Sequence, residues 1–334
     1  MKAVMLREIG GPKQLKLEDI PVPEPGPKEV VVRLRAAALN RRDVFITYGQ
    51  YPGIKLPAVP GSDGSGEVSA IGSEVNGVEI GHEVVINPGL GWGEDVHLKN
   101  KGFSILGVPE NGTYAEYVKV PAENVFPKPS HLNWQEAAAL PLGGVTAYRA
   151  LVTKGQVKEG ETVLVPGIGG GVATFLVQFA SALGAKVYVT SSKEEKIAKA
   201  KEIGAVDGVN YTNEDWSKTL KKRTGGVDLS IDSIGGEVFD SLVSLGKNAS
   251  RIVSFGATKG PVPKLLMPKV FLKEITILGS TMGSSHEFQE MLKLVEEHQI
   301  HPVIDHIYPL EEVIEAQTRM EKGENFGKIG LNLS

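Results

Sequence analysis

The stretch TVLVPGIGGGVATFLVQFASALGAKVYVTSS, residues 162–192, decides the fold. Its first five residues are uncharged and mostly β-branched, its middle is a run of glycines, and its second half is an uncharged, largely apolar segment of helical length that ends at another short β-branched run. No charged residue falls between Thr162 and Ala185, so hydropathy alone would allow a membrane span. The sequence PGIGGGVA in its centre argues against one, because a broken helix in hydrocarbon leaves backbone groups without hydrogen-bond partners. A buried strand, a glycine turn, a buried helix and a second strand satisfy every feature of the stretch.

The same alternation continues on the C-terminal side. KVYVTS, LSIDSI and RIVSFG read as strands, and VATFLVQFASALGA and KEEKIAKAKEIGA as the helices between them. Parallel strands require such crossovers, so the expected architecture is α/β, a doubly wound parallel sheet of Rossmann type with helices on both faces. On the N-terminal side the texture differs. KAVMLRE, VVVRLRAAALN, SGEVSAIG and AEYVKVP are short apolar runs bounded by Gly and Pro, as in a compact, mainly β domain. The closing helix HEFQEMLKLVEEHQI and the tail ending in NFGKIGLNLS fall outside the βα repeat and are expected to return to that first domain. The division read from the sequence is therefore 1–125 with 283–334, and 126–282. Residues 88–114, rich in glycine, read as a surface lobe.

Composition narrows the function. The 334 residues carry 36 basic and 40 acidic side chains, a formal charge of −4, which gives no general attraction for nucleic acid or anionic lipid. There is no cysteine, hence no disulfide, thiolate nucleophile, iron–sulfur cluster or Cys-ligated zinc. The opening MKAVMLREIGG meets charge too early for a secretory signal, so a cytoplasmic location is expected.

The glycine run Gly167, Gly169, Gly170, Gly171 with Val172 follows a strand and opens a helix. Such a turn lets backbone N–H groups and a helix N-terminus face a pyrophosphate. The strict GxGxxG spacing is missing, and the turn also reads as an ordinary tight strand–helix junction. The tip of the second strand is Thr190-Ser191-Ser192-Lys193, with Lys196 nearby and the first acids, Glu194 and Glu195, farther on. An acid at that tip selects the 2′-hydroxyl of NAD, whereas hydroxyls and lysines suit the 2′-phosphate of NADPH. NADPH is thus expected over NADH, although Ser191 or Ser192 also reads as a helix cap.

In order along the chain, AAALNRRDVFITYGQYP, PAVPGSDGSGEVSAIG, AAALPLGGVTAYRAL, VLVPGIGGGVATFLVQFASALGAKV, GVDLSIDSIGG, RIVSFG and NFGKIG resemble the medium-chain dehydrogenase/reductase superfamily. Within it they are most similar to the zinc-independent quinone oxidoreductase, or zeta-crystallin-like, branch. The resemblance covers the whole chain and implies a GroES-like mainly β catalytic domain beside the Rossmann domain. Zinc-dependent members hold a catalytic metal through cysteine and histidine. At the matching positions this chain has Asn40, Gly61-Ser62-Asp63 and Leu142, so the resemblance implies no metal. Gly81-His82-Glu83 spells the ligand motif literally, but at a position where relatives turn. The lobe at 88–114, with only His97, reads as a relic of a structural zinc site.

The resemblance places Asn40 beside the nicotinamide as a donor to a substrate oxygen, and Tyr51 at the cleft as a donor of a hydrogen bond or proton. Asp43 is a further catalytic candidate; Asn40-Arg41-Arg42-Asp43 also reads as a turn held by its own side chains. For the cofactor it points to Thr146, Tyr211, the strand end Ser254-Phe255-Gly256, and the terminal Phe326, Gly327 and Lys328. The strand Glu274–Gly279 is expected at a sheet edge, where relatives dimerise.

Without a metal to polarise an isolated carbonyl, a quinone or α,β-unsaturated carbonyl is the easier hydride acceptor, because its negative charge is delocalised and hydrogen bonds suffice. The expected function is therefore an NADPH-dependent quinone or enone reductase. Two alternatives stay open: an enoyl-thioester (acyl-CoA) reductase, and an NADPH-binding protein with little turnover.

Overall fold

The computed structural model describes residues 1–333. The chain forms two compact units, Met1–Val145 with Gly283–Ser334, and Thr146–Met282.

The unit Thr146–Met282 is built on a six-stranded, all-parallel sheet. Its strands lie in the order Asp207–Asn210, Lys186–Ser191, Thr162–Val165, Val227–Asp232, Gly246–Ser254 and Thr276–Gly279. Chain order runs outward from the central pair in both directions, so the switch point lies between Thr162–Val165 and Val227–Asp232. Val163, Val165, Val187 and Val189 are wholly buried, as expected of strands covered on both faces. The helix Gly171–Ala182 covers this region with Phe175 and Phe179, fully buried and 5.6 Å apart between ring centroids. Each such ring contributes about 2 kcal/mol by leaving water. The strand Asp207–Asn210 and the helices Trp216–Thr224 and Met267–Leu272 had no counterpart in the sequence reading, because GVN and LKKR carry too little periodic signal.

In the other unit the long strand Glu29–Ala38 lies between Asp63–Ile71 and the terminal strand Lys328–Asn332, both antiparallel to it. Ala38 is paired with Asp63 on one side and Gly330 on the other. The residues that follow Ala38 therefore emerge between Asp63 and Lys328, and this register creates the polar cluster described below.

The division expected after residue 125 falls instead after Val145. Val125–Pro127 adds to the sheet of the first unit by pairing with Glu83–Ile86. The helix Trp134–Ala139 is tied to the same sheet by the hydroxyl of Ser65, which donates to the carbonyl of Trp134 at 2.7 Å. Its helical composition misled the reading, since it packs on the β unit rather than on the parallel sheet.

The stretch 88–114 is only in part a surface lobe. Gly89–Leu90 and Ser104–Ile105 form a short hairpin, but Leu106, Val108 and Tyr114 are core residues. Among the described residues no helix is long and apolar enough to cross a membrane.

Candidate functional site

In the first unit, Asn40 precedes the helix Arg41–Thr47 and is 7% exposed. Its side-chain Nδ2 donates to Oδ2 of Asp63 at 2.9 Å, and its Oδ1 accepts from Nζ of Lys328 at 2.8 Å. The Lys328 ammonium also donates to Oδ2 of Asp63 at 2.7 Å. Oδ1 of Asp63 accepts the backbone N–H of Leu142 at 2.8 Å. Asp63 and Lys328 are almost wholly buried. A buried ion pair holds only when its remaining hydrogen-bonding capacity is filled, and here the asparagine amide and the Leu142 N–H fill it.

Lys328 owes its place to the loop before it. Gly327 has φ +97, and a side chain there would collide with Val303. The N–H of Phe326 donates to Asp305 at 3.0 Å, and Arg319 donates to the same carboxylate at 2.6 Å. Burial alone would raise the pKa of Asp305, but the hydrogen bonds from Arg319 and Phe326 and the charge of Arg319 hold it below its ordinary value.

Asp43 lies on the far side of Asn40. It is fully buried, and its Oδ2 accepts the Asn40 backbone N–H and the hydroxyl of Tyr114, each at 2.8 Å. Burial raises its pKa, against the charge of Arg42 and these two hydrogen bonds. The hydroxyl of Tyr114 is raised well above its usual value, first by burial and then by Asp43. Asp43 thus fixes the backbone at Asn40. Tyr51 is half-buried, with its ring 4.5 Å from the Arg42 guanidinium carbon. Nη1 of Arg42 donates to the Ser62 hydroxyl and to the Leu106 carbonyl, while its Nε and Nη2 find no hydrogen-bond partner among the described residues. Tyr114 was missed by the sequence reading, whereas Arg42 stood in the Asn40–Asp43 run without a role of its own. No local pattern joins residues 43 and 114.

In the second unit the glycine turn opens the helix Gly171–Ala182 after the central strand Thr162–Val165. The N–H of Gly167 donates to the Thr190 hydroxyl at 3.0 Å and that of Ile168 to the Thr190 carbonyl at 2.8 Å, which pins the turn to the neighbouring strand tip. Gly167 has φ +68 and abuts Ile234. At Gly170 a Cβ would meet open space, so the missing side chain leaves the turn's outer surface clear, as a phosphate cradle requires.

Ser191 ends its strand buried, and its hydroxyl accepts the Lys193 N–H at 3.2 Å. Tyr211 is brought beside it, its N–H donating to the Ser191 carbonyl at 3.0 Å. Ser192 is exposed and Lys196 half-buried in the first turn of the helix Glu194–Glu202. Ser254 is paired with Asp232 at the carboxyl edge of the sheet, with Phe255 and Gly256 just beyond. Asp232, buried, closes the turn after its strand by accepting the N–H groups of Ile234 and Gly235. Thr146 is buried on the helix Pro141–Tyr148.

The cofactor candidates of this unit, Gly167 through Val172, Ser191, Ser192, Lys196, Tyr211, Ser254, Phe255 and Gly256, therefore follow the carboxyl ends of parallel strands, where such sheets bind ligands. Lys328 is held instead by Asn40 and Asp63. Among the described residues no three His, Asp or Glu side chains converge as metal ligands. His82 stands by a surface turn, accepting the Glu79 N–H.

Two family models match the chain: the alcohol dehydrogenase GroES-like domain over residues 26–130 and the zinc-binding dehydrogenase over residues 171–297. The zinc-type alcohol dehydrogenase-like protein YogA of Leptosphaeria maculans is 37% identical over 96% of this chain and 94% of its own length. The chain belongs to the medium-chain dehydrogenase/reductase superfamily. Among solved structures, one described as an NAD-dependent alcohol dehydrogenase is 42% identical and superposes with a TM-score of 0.95 over all of both chains. The acryloyl-coenzyme A reductase of Sulfurisphaera tokodaii is 30% identical over 98% of this chain and 99% of its own. The protein is thus an NAD(P)-dependent oxidoreductase of the superfamily, with its GroES-like part and its nucleotide-binding sheet both in place.

Proposed function

We propose that this protein is a metal-independent, NADPH-dependent reductase that transfers hydride to a quinone or an α,β-unsaturated carbonyl. The observation that carries this reading is the cluster that Asn40 and Asp63, in the segments matched to metal ligands, form with Lys328. Zinc takes thiolate, imidazole and carboxylate. Here one position offers an amide whose oxygen is held by an ammonium, one a hydroxyl engaged by Arg42, and one the aliphatic Leu142. The single carboxylate, Asp63, already has a cation at 2.7 Å, which would repel a divalent ion. This donor set does not fit zinc, although relatives carry zinc-type names.

Bound NADPH supplies the hydride. The turn at Gly167–Gly171 offers its clear backbone to the pyrophosphate, and the strand tip at Ser191 and Ser192, with no carboxylate, suits a 2′-phosphate. A substrate whose charge spreads by conjugation needs only hydrogen bonds at its oxygen, and in this reading Asn40 gives one.

The test is oxidation of NADPH and NADH by metal-free protein with 9,10-phenanthrenequinone, cyclohex-2-enone and cyclohexanone in parallel. Turnover with NADPH on the first two alone is expected. Cyclohexanone reduction abolished by a chelator would sink the reading. Reduction of an enoyl thioester is a second reading, favoured by the acryloyl-coenzyme A reductase relative, and crotonyl-coenzyme A as a fourth acceptor separates it. The exposed edge strand Thr276–Gly279 further supports a homodimer joined through the parallel sheet.

A further inference from the structure

A carboxamide has two faces, one donor and one acceptor, and which face meets the substrate decides what oxygen chemistry it assists. At Asn40 the surroundings leave no choice. Lys328 can only donate, so Oδ1 faces it at 2.8 Å; the Asp63 carboxylate can only accept, so Nδ2 faces it at 2.9 Å. Asp63 is itself immobilised by the Leu142 N–H and by the ammonium. The backbone N–H of Asn40 is held from behind by Asp43. One of the two Nδ2 hydrogens is committed to Asp63, which leaves the other.

We propose that Lys328 and Asp63 form a clamp that fixes Asn40 as a one-directional donor, and that its remaining Nδ2–H receives the charge developing on the substrate oxygen. The assignment rests on the reductase reading above. Lys328 acts as a positioning residue: by drawing on the Asn40 carbonyl it also strengthens the donor on the same amide. Bound NADPH would supply a hydride to the β-carbon of an enone and leave as NADP⁺. The alkene pair would move to make an enolate oxygen facing Asn40, and a water would protonate the α-carbon to give the saturated ketone, with hydroxide released to solvent. The charges of Lys328 and Asp63 cancel, so the cluster favours a neutral acceptor whose oxygen becomes negative over a substrate that arrives as a carboxylate.

The experiment uses full-length protein labelled with ¹⁵N-asparagine, with N40A assigning the Asn40 side-chain pair. The variant K328M/D63N removes both charges together and leaves no buried ion unpaired. In the wild type the two Nδ2 protons should be widely split and slow to exchange; in K328M/D63N the splitting and protection should collapse. With NADPH saturating, kcat for cyclohex-2-enone should fall on the order of 10- to 100-fold in that variant, while the NADPH dissociation constant stays within about threefold. K328R, which keeps a donor-only cation, should retain both the split pair and turnover, and it decides the matter if the double variant does not fold. Unchanged Asn40 signals, unchanged kcat, or weaker NADPH binding with kcat preserved at saturation would each overturn the clamp. Should the wild type reduce no conjugated acceptor, the reductase reading falls, and the Asn40 spectrum still decides the clamp by itself.

Discussion

The hydroxyl of Tyr114 donates to the Asp43 carboxylate at 2.8 Å across 71 residues of sequence, and both side chains are fully buried. The bond ties the strand-rich core to the residue that holds the backbone of Asn40. Replacing the phenol with a phenyl ring keeps the packing and removes one hydrogen bond to a charged group. Y114F should therefore cost about 1.5–3 kcal/mol of stability, read from urea denaturation midpoints. A loss within error would mean that water replaces the hydroxyl there.

Asp43 itself should give the protein an unusual response to pH. Burial raises its pKa in the folded state despite Arg42 and its hydrogen bonds, so the folded chain binds this proton more tightly than the unfolded one. Its contribution to stability is then greatest in acid, below the ordinary aspartate value, and declines as pH rises through the raised one. D43N cannot titrate. The stability of the wild type relative to D43N should fall as pH rises from the ordinary aspartate value through the raised one. Denaturation curves in which that difference grows with pH would reverse the sign assigned to Asp43.

Asp305 should behave oppositely. Burial pulls its pKa up, but Arg319 and the Phe326 N–H outweigh that and leave it lowered. Its stabilisation is present above the ordinary aspartate value and is lost as pH falls through the lowered one. D305N should cost about 2 kcal/mol near neutrality, and the deficit should shrink below about pH 4. Because Asp305 anchors the N–H of Phe326 two residues before Lys328, turnover should fall more than NADPH binding. Thermal melts across pH with parallel kinetics check both points.

Legibility divided along sequence distance. The parallel sheet could be read from residues 162–192 because each strand, turn and helix there announces itself within a few residues. The Gly167–Gly171 turn and the strand tip at Ser191 were visible for the same reason. Asn40 and Asp63 were legible as positions matched to metal ligands, but their joining to Lys328 was not, since it depends on two antiparallel registers that bring residues 40, 63 and 328 together. The helix Trp134–Ala139 was recognisable as a helix and assigned to the wrong unit, because an alanine-rich face packs equally well on either kind of sheet.

The sheet edge carries the next prediction. Among the described residues Thr276–Gly279 pairs only with Gly246–Ser254, and Ile277 is 40% exposed. The short helix just before it exposes Phe271 and Leu272. An open apolar edge of this kind invites pairing with a second copy, and a lysine on it discourages pairing. Sedimentation velocity should find a dimer for the wild type and a monomer for I277K. A monomeric wild type would rule out the edge as an interface.

Cofactor choice should respond to a single substitution at the strand tip. The Ser191 hydroxyl accepts the Lys193 N–H, and an aspartate there would keep an acceptor for that turn while placing a carboxylate at the strand tip. A carboxylate at this point favours the 2′-hydroxyl of NAD and repels the 2′-phosphate of NADP. S191D should therefore lower the ratio of NADPH to NADH affinity by about tenfold or more, equivalent to about 1.4 kcal/mol, with little change in kcat on the preferred acceptor. Fluorescence titration with both cofactors measures the ratio directly. A wild type that already prefers NADH would place the 2′-position away from Ser191 and Ser192, and the discrimination would then have to be sought at Lys196 or Tyr211.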